Sequence, residues 1–428
     1  MTPQCENKWL SKVMNWQIRN NEKHLVTTRD MLFRKEHMLR KIPIVGCPIG
    51  LQDLSFGLLS ILKQTCQGQL SDALSKLLNR KYIYFTDSGT SSLYILLKIL
   101  KDRQDKKEVV LPAYTASSLV IAVQKAGLRP VLCDISLDDF NADIDLLPDI
   151  VSKDTLCILC VHMFGIVNKG LRQLKIRFSD THVVEDCAQS LGSKIDSMFV
   201  DNSADASIFS FNRGKNVPTY GGGCIATNSQ EISEKMIEAG KKIEGLATGQ
   251  RILIPLKVLG LALAVRPLIY GLGYPFIAQF KDVARPTNFE VKKYAGFQAA
   301  VALSLIGRIE EFSKKRYMNG LRLIEKLRNV EGVVLPQISE NTRPAFNRLP
   351  IVFRDIKKRQ KAEKSLDKAG VDTSRMYLKP IHHMFDLGYE KEDFPIANYF
   401  AERLLTVPTH PSLTDAQLDK IIRTIKNA

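Results

Sequence analysis

The sequence predicts an α/β fold with a mainly parallel sheet covered by helices, followed by a smaller α+β domain. Between Lys81 and Thr227, short β-branched or apolar runs alternate with helical stretches, which is typical of strands joined by crossover helices. The chain has 428 residues, which is too long for one small core, so a second domain is expected. A hydrophobic content of 45% and a charged content of 25% are those of a packed globular protein.

The individual elements follow from this alternation. The predicted strands are Tyr82–Thr86, Val109–Leu111, Pro130–Asp134, Leu156–His162, His182–Asp186, Ala206–Phe211 and Gly223–Thr227. A long polar helix after about residue 311 leads to strands near Val333–Leu335 and Leu349–Phe353 and to helices near Arg359–Ala369 and Thr414–Lys426. We place a basic helical N-terminal extension at 1–42, a large domain at 43–310 and a small C-terminal domain at 311–428.

One segment, residues 252–280, is unusually apolar. Its charges are Lys257 and Arg266, and prolines interrupt it, so its charge-free stretches are shorter than the roughly 18 residues that a membrane-spanning helix needs. Two interpretations stay open. The segment could be a buried helical hairpin that packs on the sheet domain or on a second subunit. Alternatively, it could contact a bilayer surface as a peripheral element, together with the basic N-terminus.

Charge and cysteine usage narrow the partners. The formal net charge of +16 favours anionic partners such as phosphorylated or nucleotide-bearing substrates. No zinc finger, RNP-like motif or basic heptad region occurs, so we do not expect nucleic acid to be a partner. Cys157 and Cys160 form a C-x-x-C inside an apolar strand without a second ligand pair, so we expect buried thiols and no metal site. A cytoplasmic location, with membrane association open, fits the scattered cysteines.

Lys215 is the strongest candidate for covalent chemistry. It follows a β-like run and precedes the glycines Gly221 to Gly223, where an amine can approach a planar ligand and form a Schiff base with a carbonyl compound. Upstream, Asp186 ends a predicted buried strand, and a buried carboxylate needs a positive partner. The pair suggests pyridoxal phosphate (PLP), whose chemistry uses a lysine and an aspartate at the ring nitrogen.

A phosphate site is predicted where a glycine turn enters a helix. Ser88, Gly89 and Thr90 follow the strand Tyr82–Thr86, and a helix N-terminus there offers N–H groups to a phosphate, with the hydroxyls of Thr90 and Ser91 as further donors. Helix capping is the alternative interpretation. Ser210 lies five residues before Lys215 and is a further candidate phosphate hydroxyl.

Together these segments resemble the DegT/DnrJ/EryC1/StrS family of PLP-dependent sugar aminotransferases, from about Pro43 to the C-terminus. Ser88 to Thr90 matches the family's Ser-Gly-Thr turn, Glu185 to Gln189 its Glu-Asp-x-Ala-Gln, and Ser210 to Asn216 its Ser-Phe-x-x-x-Lys-Asn. Further similar blocks are Val110–Thr115, Gly127–Asp134, Lys379–His382, Phe394–Ala397 and Val407–Pro411.

The resemblance implies the PLP fold type I, with a three-layer αβα large domain, and a homodimer with active sites between subunits. It implies transfer of an amino group from an amino acid, usually glutamate, to a keto sugar attached to a nucleotide. Lys215 would form the Schiff base and shuttle the proton, and because it is retained, the related dehydrating branch that uses histidine is not expected. The other implied cofactor contacts are Asp186 at the pyridinium, Gln189 at the phenolate, and Ser88, Gly89, Thr90, Ser91 and Ser210 at the phosphate.

Some positions depart from the family pattern. Ala116 stands where an aromatic residue often stacks on the cofactor, which makes Tyr114 and Met163 the candidates; Tyr114 and His382 are also candidate substrate contacts. Val291 replaces the asparagine of the family's Asn-x-Arg, so the cross-subunit phosphate contact does not transfer. Two alternatives therefore stay open: the same chemistry on a membrane-associated or lipid-linked substrate, and a PLP-binding regulator without turnover.

Overall fold

The strands coincide closely with the predicted ones. The computed structural model describes residues 41–60, 66–102, 104–168, 170–199, 204–279 and 288–428, so most of the predicted N-terminal extension lies outside the described residues. The strands are β1 (Tyr82–Thr86), β2 (Glu108–Pro112), β3 (Arg129–Cys133), β4 (Thr155–Val161), β5 (His182–Asp186), β6 (Lys194–Ile195), β7 (Met198–Phe199), β8 (Ala206–Ser210), β9 (Gly223–Thr227), β10 (Val333–Val334), β11 (Thr342–Arg343), β12 (Leu349–Phe353) and β13 (Leu404–Val407).

The α-helices separate and follow these strands. They are α1 (Leu51–Ser60), α2 (Cys66–Leu78), α3 (Gly89–Lys101), α4 (Ser117–Lys125), α5 (Leu147–Ile150), α6 (Leu171–Arg177), α7 (Gln230–Lys242), α8 (Thr248–Ala264), α9 (Pro267–Gln279), α10 (Gly296–Ile306), α11 (Ile309–Leu327), α12 (Ile356–Lys368), α13 (Pro395–Arg403) and α14 (Asp415–Lys426).

A seven-stranded sheet lies at the centre, in the order β1-β9-β8-β5-β4-β2-β3. Strand β9 runs antiparallel to its neighbours β1 and β8, and the remaining strand pairs are parallel. The prediction of a mainly parallel sheet is confirmed. Strands β2, β4, β8 and β9 are buried along their whole length, which is why their sequences read as nearly continuous apolar runs.

Helices cover both faces of this sheet, as the predicted three-layer architecture requires. Successive side chains of a strand point to opposite faces, and in β8 Ile208 packs into the core cluster that includes Leu93 of α3, while Phe209 packs into the cluster that includes Leu70 of α2. Because the parallel strands and β1 share one direction, their carboxyl ends meet at one edge of the sheet. Ligands of such sheets bind outside that edge.

A second sheet, β10-β12-β13, is antiparallel and packs with the helices α12, α13 and α14. It corresponds to the predicted smaller α+β domain. Its buried residues, such as Leu349 and Phe400, belong to the same hydrophobic cluster as Leu93 of the large sheet's cover. Helix α11 begins at Ile309, close to the predicted boundary at residue 310, which stays a prediction.

The apolar segment forms two helices, α8 and α9. Pro255 lies inside α8 and Pro267 begins α9. Within the described part of the chain no single helix has both the length and the apolar character to cross a membrane; α8 and the first turns of α9 meet those criteria only as a pair, bent by 93°. Part of α8 is buried against the body, but many of its leucines are exposed, so this chain alone does not bury the segment as a hairpin.

Candidate active site

Asp186 is the buried carboxylate at the carboxyl edge of the central sheet. It is the last residue of β5, only 4% exposed, and its Oδ1 accepts a hydrogen bond from the Ala188 N–H at 2.9 Å. Burial raises the pKa of Asp186, and the charge of Lys215 opposes part of that shift. The two residues on which the predicted chemistry depends therefore lie close enough to interact electrostatically.

Lys215 sits on a tight turn whose conformation is fixed from several sides. The Lys215 N–H donates to Asn212 O at 3.2 Å, and Gly214 has φ +75°, a left-handed conformation that favours glycine. Asn347 donates from Nδ2 to Gly214 O at 2.6 Å, and the buried Asn216 donates from Nδ2 to Leu191 O at 2.7 Å. The turn is thus held by the sheet edge and by a distant segment of the chain.

The predicted phosphate turn is the N-terminus of α3. Ser88 is the N-cap, and its Oγ accepts from the Ser91 N–H at 3.1 Å, while its carbonyl accepts from the Ser92 N–H at 3.0 Å. Capping by Ser88 leaves the N–H groups of Gly89 and Thr90 at the open end of the helix, where the helix dipole favours an anion. Capping and phosphate binding are therefore compatible here rather than alternatives.

Glycines bring the cofactor-binding turns together. A Cβ on Gly89 would lie 3.0 Å from the Ser210 Cβ, and a Cβ on Gly223 would lie 2.5 Å from the Gly89 nitrogen. Gly222 has φ +101°, and a Cβ there would meet the ring of Tyr294 at 2.2 Å. The structure thus places Ser88, Gly89 and Ser210 side by side. Gly223, the first residue of β9, is required because backbone approaches backbone there, and Gly222 is required because the Tyr294 ring packs on it.

A buried polar network lies beneath Asp186, and the sequence analysis did not identify it. Glu185 is fully buried; its Oε2 accepts from Ser207 Oγ at 2.5 Å and from Arg80 Nη2 at 3.5 Å. The Asn168 N–H donates to His162 Nδ1 at 3.1 Å, so His162 Nε2 carries the proton and donates to Glu185 Oε1 at 3.3 Å. A histidine placed directly after β4, at the same edge as Asp186, was the signal that could have revealed it.

A metal ion does not fit this network well, although its donor atoms are close together. His162, Glu185 and Cys187 have possible ligand atoms within 4.8 Å of one another. The neighbouring guanidinium of Arg80 repels a cation, and burial raises the pKa of the Cys187 thiol well above its usual range, which disfavours the thiolate that a metal requires. The three side chains are better explained as support for β5.

Gln189 lies at the same edge but makes its present contacts within the protein. Its Oε1 accepts from the Phe164 N–H at 3.2 Å, and its Nε2 lies 3.6 Å from the sulfur of Met163. Gln189 and Met163 are both buried. These contacts fix the orientation of the Gln189 amide next to Asp186, and its predicted phenolate contact stays a prediction.

The two candidate substrate residues occupy different environments. Tyr114 is fully buried; its hydroxyl lies 3.1 Å from Arg375 O and accepts from the Tyr377 N–H at 3.1 Å. In this conformation Tyr114 offers no surface to a substrate or a cofactor ring, and it instead anchors the 375–377 segment. His382 is largely buried against Phe394, its Nε2 lies 3.4 Å from Lys391 O, and burial lowers its pKa.

The residues at the sheet edge fit a cofactor with an anionic end and a cationic ring nitrogen. The helix start at Gly89 and Thr90, with Ser210 beside it, suits a phosphate. Asp186 is only 4% exposed, and burial raises its pKa, so a protonated ring nitrogen beside it would stabilise its charge. The charge of Lys215 acts on this carboxylate and lowers its pKa against the effect of burial. The arrangement therefore accommodates PLP.

Comparisons with known proteins agree with this arrangement. The sequence profile of the DegT/DnrJ/EryC1/StrS aminotransferase family matches residues 65–253 and 282–426. An uncharacterised protein of Methanocaldococcus jannaschii is 27% identical over 358 residues, covering 81% of this chain and 85% of that protein. The dTDP-3-amino-3,4,6-trideoxy-alpha-D-glucose transaminase of Micromonospora megalomicea subsp. nigra is 26% identical over 351 residues, covering 79% of this chain and 83% of that enzyme.

Among solved structures, a putative sugar aminotransferase from Streptococcus pneumoniae in its PMP form superposes with a TM-score of 0.73. The sequence identity is 20%, and the match covers 90% of this chain and 97% of that one. At this identity the likeness establishes the fold. It confirms the predicted fold type and the predicted three-layer arrangement of helices and sheet.

Proposed function

Because this chain belongs to the DegT/DnrJ/EryC1/StrS aminotransferase family, we propose that it moves an amino group from glutamate to a keto sugar carried on a nucleotide. Membership confirms the predicted enzyme class and PLP as the cofactor. The observation that carries the proposal is the meeting of Asp186, Lys215 and the start of α3 at one edge of the sheet. A nucleotide diphosphate on the acceptor is supported by the net charge of +16 and by the dTDP-linked sugar in a relative's name.

In this proposal each site residue has a defined task. Bound PLP supplies an electron sink for the carbon from which a proton is removed. Lys215 Nζ removes the proton from the Cα of the donor amino acid and later returns one to the sugar carbon that receives nitrogen. Asp186 keeps the cofactor's ring nitrogen protonated, and the N–H groups of Gly89 and Thr90 with Ser210 Oγ hold its phosphate. The hydrogen bonds around Lys215 fix the backbone from which its amine extends.

The glutamate half-reaction tests the donor and the role of Lys215. The loaded enzyme mixed with glutamate and no acceptor should release about one equivalent of 2-oxoglutarate per site, with a change in the cofactor's visible spectrum. K215R keeps a positive charge beside Asp186 but removes the amine, so it should release none. Borohydride reduction followed by peptide mapping should place the cofactor's mass on Lys215. If the protein bound PLP but no amino acid converted the cofactor to its amine form, the protein would instead be a regulator.

A lipid-linked keto sugar is the second candidate acceptor, and a specific feature favours it. The ammonium of Lys257, on the exposed apolar helix α8, lies 5.9 Å from the ring centroid of Tyr220, which directly precedes the glycines at the site. An apolar surface thus adjoins the catalytic turn. A screen of nucleotide-linked and lipid-linked keto sugars on enzyme first converted by glutamate separates the two, since only the true acceptor restores the original spectrum.

We also expect a cytoplasmic homodimer. The dimer is expected because the resemblance places the active sites of this family between subunits. The glycine turn of this chain packs on Tyr294, next to the segment where the family pattern has Asn-x-Arg. Light scattering of the purified chain should give about twice the mass of 48.2 kDa. A monomer that completes the glutamate half-reaction would contradict an active site formed between two subunits.

A further inference from the structure

An exposed apolar face is formed by the neighbouring helices α1, α8 and α9. Helix α8 contacts both α1 and α9, and α1 and α8 both pack on α10. The exposed large apolar side chains, which we call the leucine face, are Leu51, Phe56, Leu58 and Leu59 of α1, Ile252, Leu253, Leu256, Leu259 and Leu263 of α8, and Leu268, Ile269 and Leu272 of α9. Isolated surface leucines are ordinary, but a contiguous set on adjoining helices indicates an interaction surface.

The leucine face points away from the protein because a different stripe of α8 packs against it. In α8, Ile254, Val258 and Ala262 recur every four residues and are buried in the cluster that contains α10, while Leu256 and Leu263 on other sides are exposed. The helix is therefore apolar all round, although only one stripe packs on the protein. A surface helix normally turns polar residues to water, so a second apolar environment is expected for the remaining stripe.

Polar atoms of α9 are directed towards the protein body instead. The hydroxyl of Tyr270 donates to Asp372 Oδ2 at 2.5 Å, and that of Tyr274 donates to Asp372 Oδ1 at 3.3 Å. The ammonium of Lys41 lies 3.4 Å from the ring centroid of Tyr274. These contacts anchor α9 by its polar groups and leave Leu268 and Leu272 exposed. A helix that faces water normally does the opposite, burying its apolar side chains and exposing its polar ones.

The charges of the segment that contains α8 and α9 have one sign. Residues 245–281 contain no aspartate or glutamate but do contain Arg251, Lys257, Arg266 and Lys281. In α1 the acidic residue is Asp53, which is fully buried and paired with Arg308 at 2.6 Å. One exposed carboxylate, Asp367, lies beside α9, where it pairs with Lys41 and contacts the Tyr274 hydroxyl. An apolar surface on which basic side chains predominate is complementary to the boundary between anionic headgroups and acyl chains.

The leucine face lies mostly outside the ranges that the family profile matches. The family profile matches residues 65–253 and 282–426, so α1, all of α9 and most of α8 lie outside the matched ranges. The catalytic residues lie within the matched ranges.

We propose that the leucine face docks this enzyme peripherally on an anionic phospholipid bilayer, with its leucines at the headgroup boundary and Arg251, Lys257 and Arg266 at the phosphates. The 93° bend between α8 and α9 suits helices that lie along a surface. Because Lys257 adjoins Tyr220 next to the catalytic turn, docking would bring the active site close to the membrane plane. The proposal does not depend on the identity of the sugar acceptor.

Flotation of the full chain with vesicles tests this directly. The loaded enzyme should float with vesicles of phosphatidylcholine and phosphatidylglycerol in a 7:3 ratio and much less with phosphatidylcholine alone. L256S/L263S should lower the partition coefficient at least tenfold, because each exposed leucine loses its apolar burial. K257Q/R266Q should lower it about fivefold for each charge removed, and 1 M salt should release the wild type.

Matched variants separate docking from general stickiness or misfolding. I237S removes an exposed isoleucine from α7, and K357Q/K358Q removes two exposed lysines from α12, and neither should change flotation. The glutamate half-reaction reports that each variant is folded. Absence of flotation in the wild type, equal loss in the control variants, or binding that resists both salt and carbonate would overturn peripheral docking. So would L256S/L263S changing the oligomeric mass, because a second copy would then cover the face.

Discussion

Two adjacent carboxylates, Glu185 and Asp186, should respond in opposite ways to loss of charge. D186N keeps the acceptor for the Ala188 N–H and removes a charge whose pKa is raised by burial, so the cofactor-free protein should be no less stable than the wild type, and up to about 1 kcal/mol more stable. E185Q removes the charge that faces the buried guanidinium of Arg80, and about 3–5 kcal/mol of stability should be lost.

Catalysis should show the reverse pattern. D186N removes the partner of the protonated ring nitrogen. Breaking a buried charge pair costs about 3–5 kcal/mol, which corresponds to a kcat/KM in the glutamate half-reaction lower by a factor of about 10² to 5 × 10³. The Glu185 side chain does not face the cofactor. Below its own melting temperature, the E185Q variant should therefore keep kcat/KM within about tenfold of the wild type.

Urea denaturation of the cofactor-free proteins and stopped-flow measurement of the half-reaction give the two quantities for each variant. The comparison is strict because the residues are neighbours on one strand and differ in the face to which they point. If D186N destabilised the cofactor-free protein as much as E185Q, Asp186 would be a structural residue, and its assignment to the ring nitrogen would be refuted.

Three further predictions follow from individual contacts. G223A should lower PLP affinity at least tenfold, because its Cβ would lie 2.5 Å from the Gly89 nitrogen, whereas G240A, with nothing within 4 Å, should not; equilibrium dialysis measures both. Burial lowers the pKa of His410 to about 3, so protonation favours the unfolded chain. As the pH falls below 6.5, the free energy of unfolding measured by urea titration should therefore decrease by about 1.4 kcal/mol per pH unit. H410Q should lack this slope. Burial raises the pKa of Cys47 to about 11, so at pH 8 its alkylation, followed by mass spectrometry, should be about a hundredfold slower than in the unfolded chain.

The central strands could be predicted because burial alone determines their composition. A strand such as β4 has helices on both faces and consists almost entirely of apolar residues, so its limits appear in the sequence without knowledge of its neighbours. The strands β6, β7 and β11 are two residues long and form a small surface sheet, and nothing in their sequences distinguishes them from turns. Their pairing depends on contacts between distant parts of the chain.

The candidate site was predictable to the same extent. Asp186, Ser210 and Ser88 each lie at the end of a predicted strand, and parallel strands bring such ends to one edge. The contacts that support the site were not predictable, because they join residues far apart in the sequence. Arg80 and Glu185 are separated by 105 positions, and Asn347 and Gly214 by 133 positions. No local pattern encodes these pairs.

The surroundings of Tyr114 could not be predicted from its own segment. It follows β2, which also ends at the carboxyl edge, and its predicted substrate contact stays a prediction. In the structure the 375–377 segment covers this strand end and takes both hydrogen bonds of the hydroxyl, and Phe400 packs on the ring at 4.8 Å. Which strand ends stay open depends on where the second sheet packs, and the sequence of the first sheet contains no information about that.

The apolar segment left two interpretations open because its inward and outward residues have the same chemistry. Periodicity separates the faces of a helix only when they differ, and in α8 the buried Val258 and the exposed Leu256 are both aliphatic. The structure supplies the missing direction: one stripe packs on α10, and α9 turns its tyrosines to Asp372. What covers the outward leucines is then a question of partner chemistry. The basic residues Arg251, Lys257 and Arg266 favour the anionic surface that we propose as this partner.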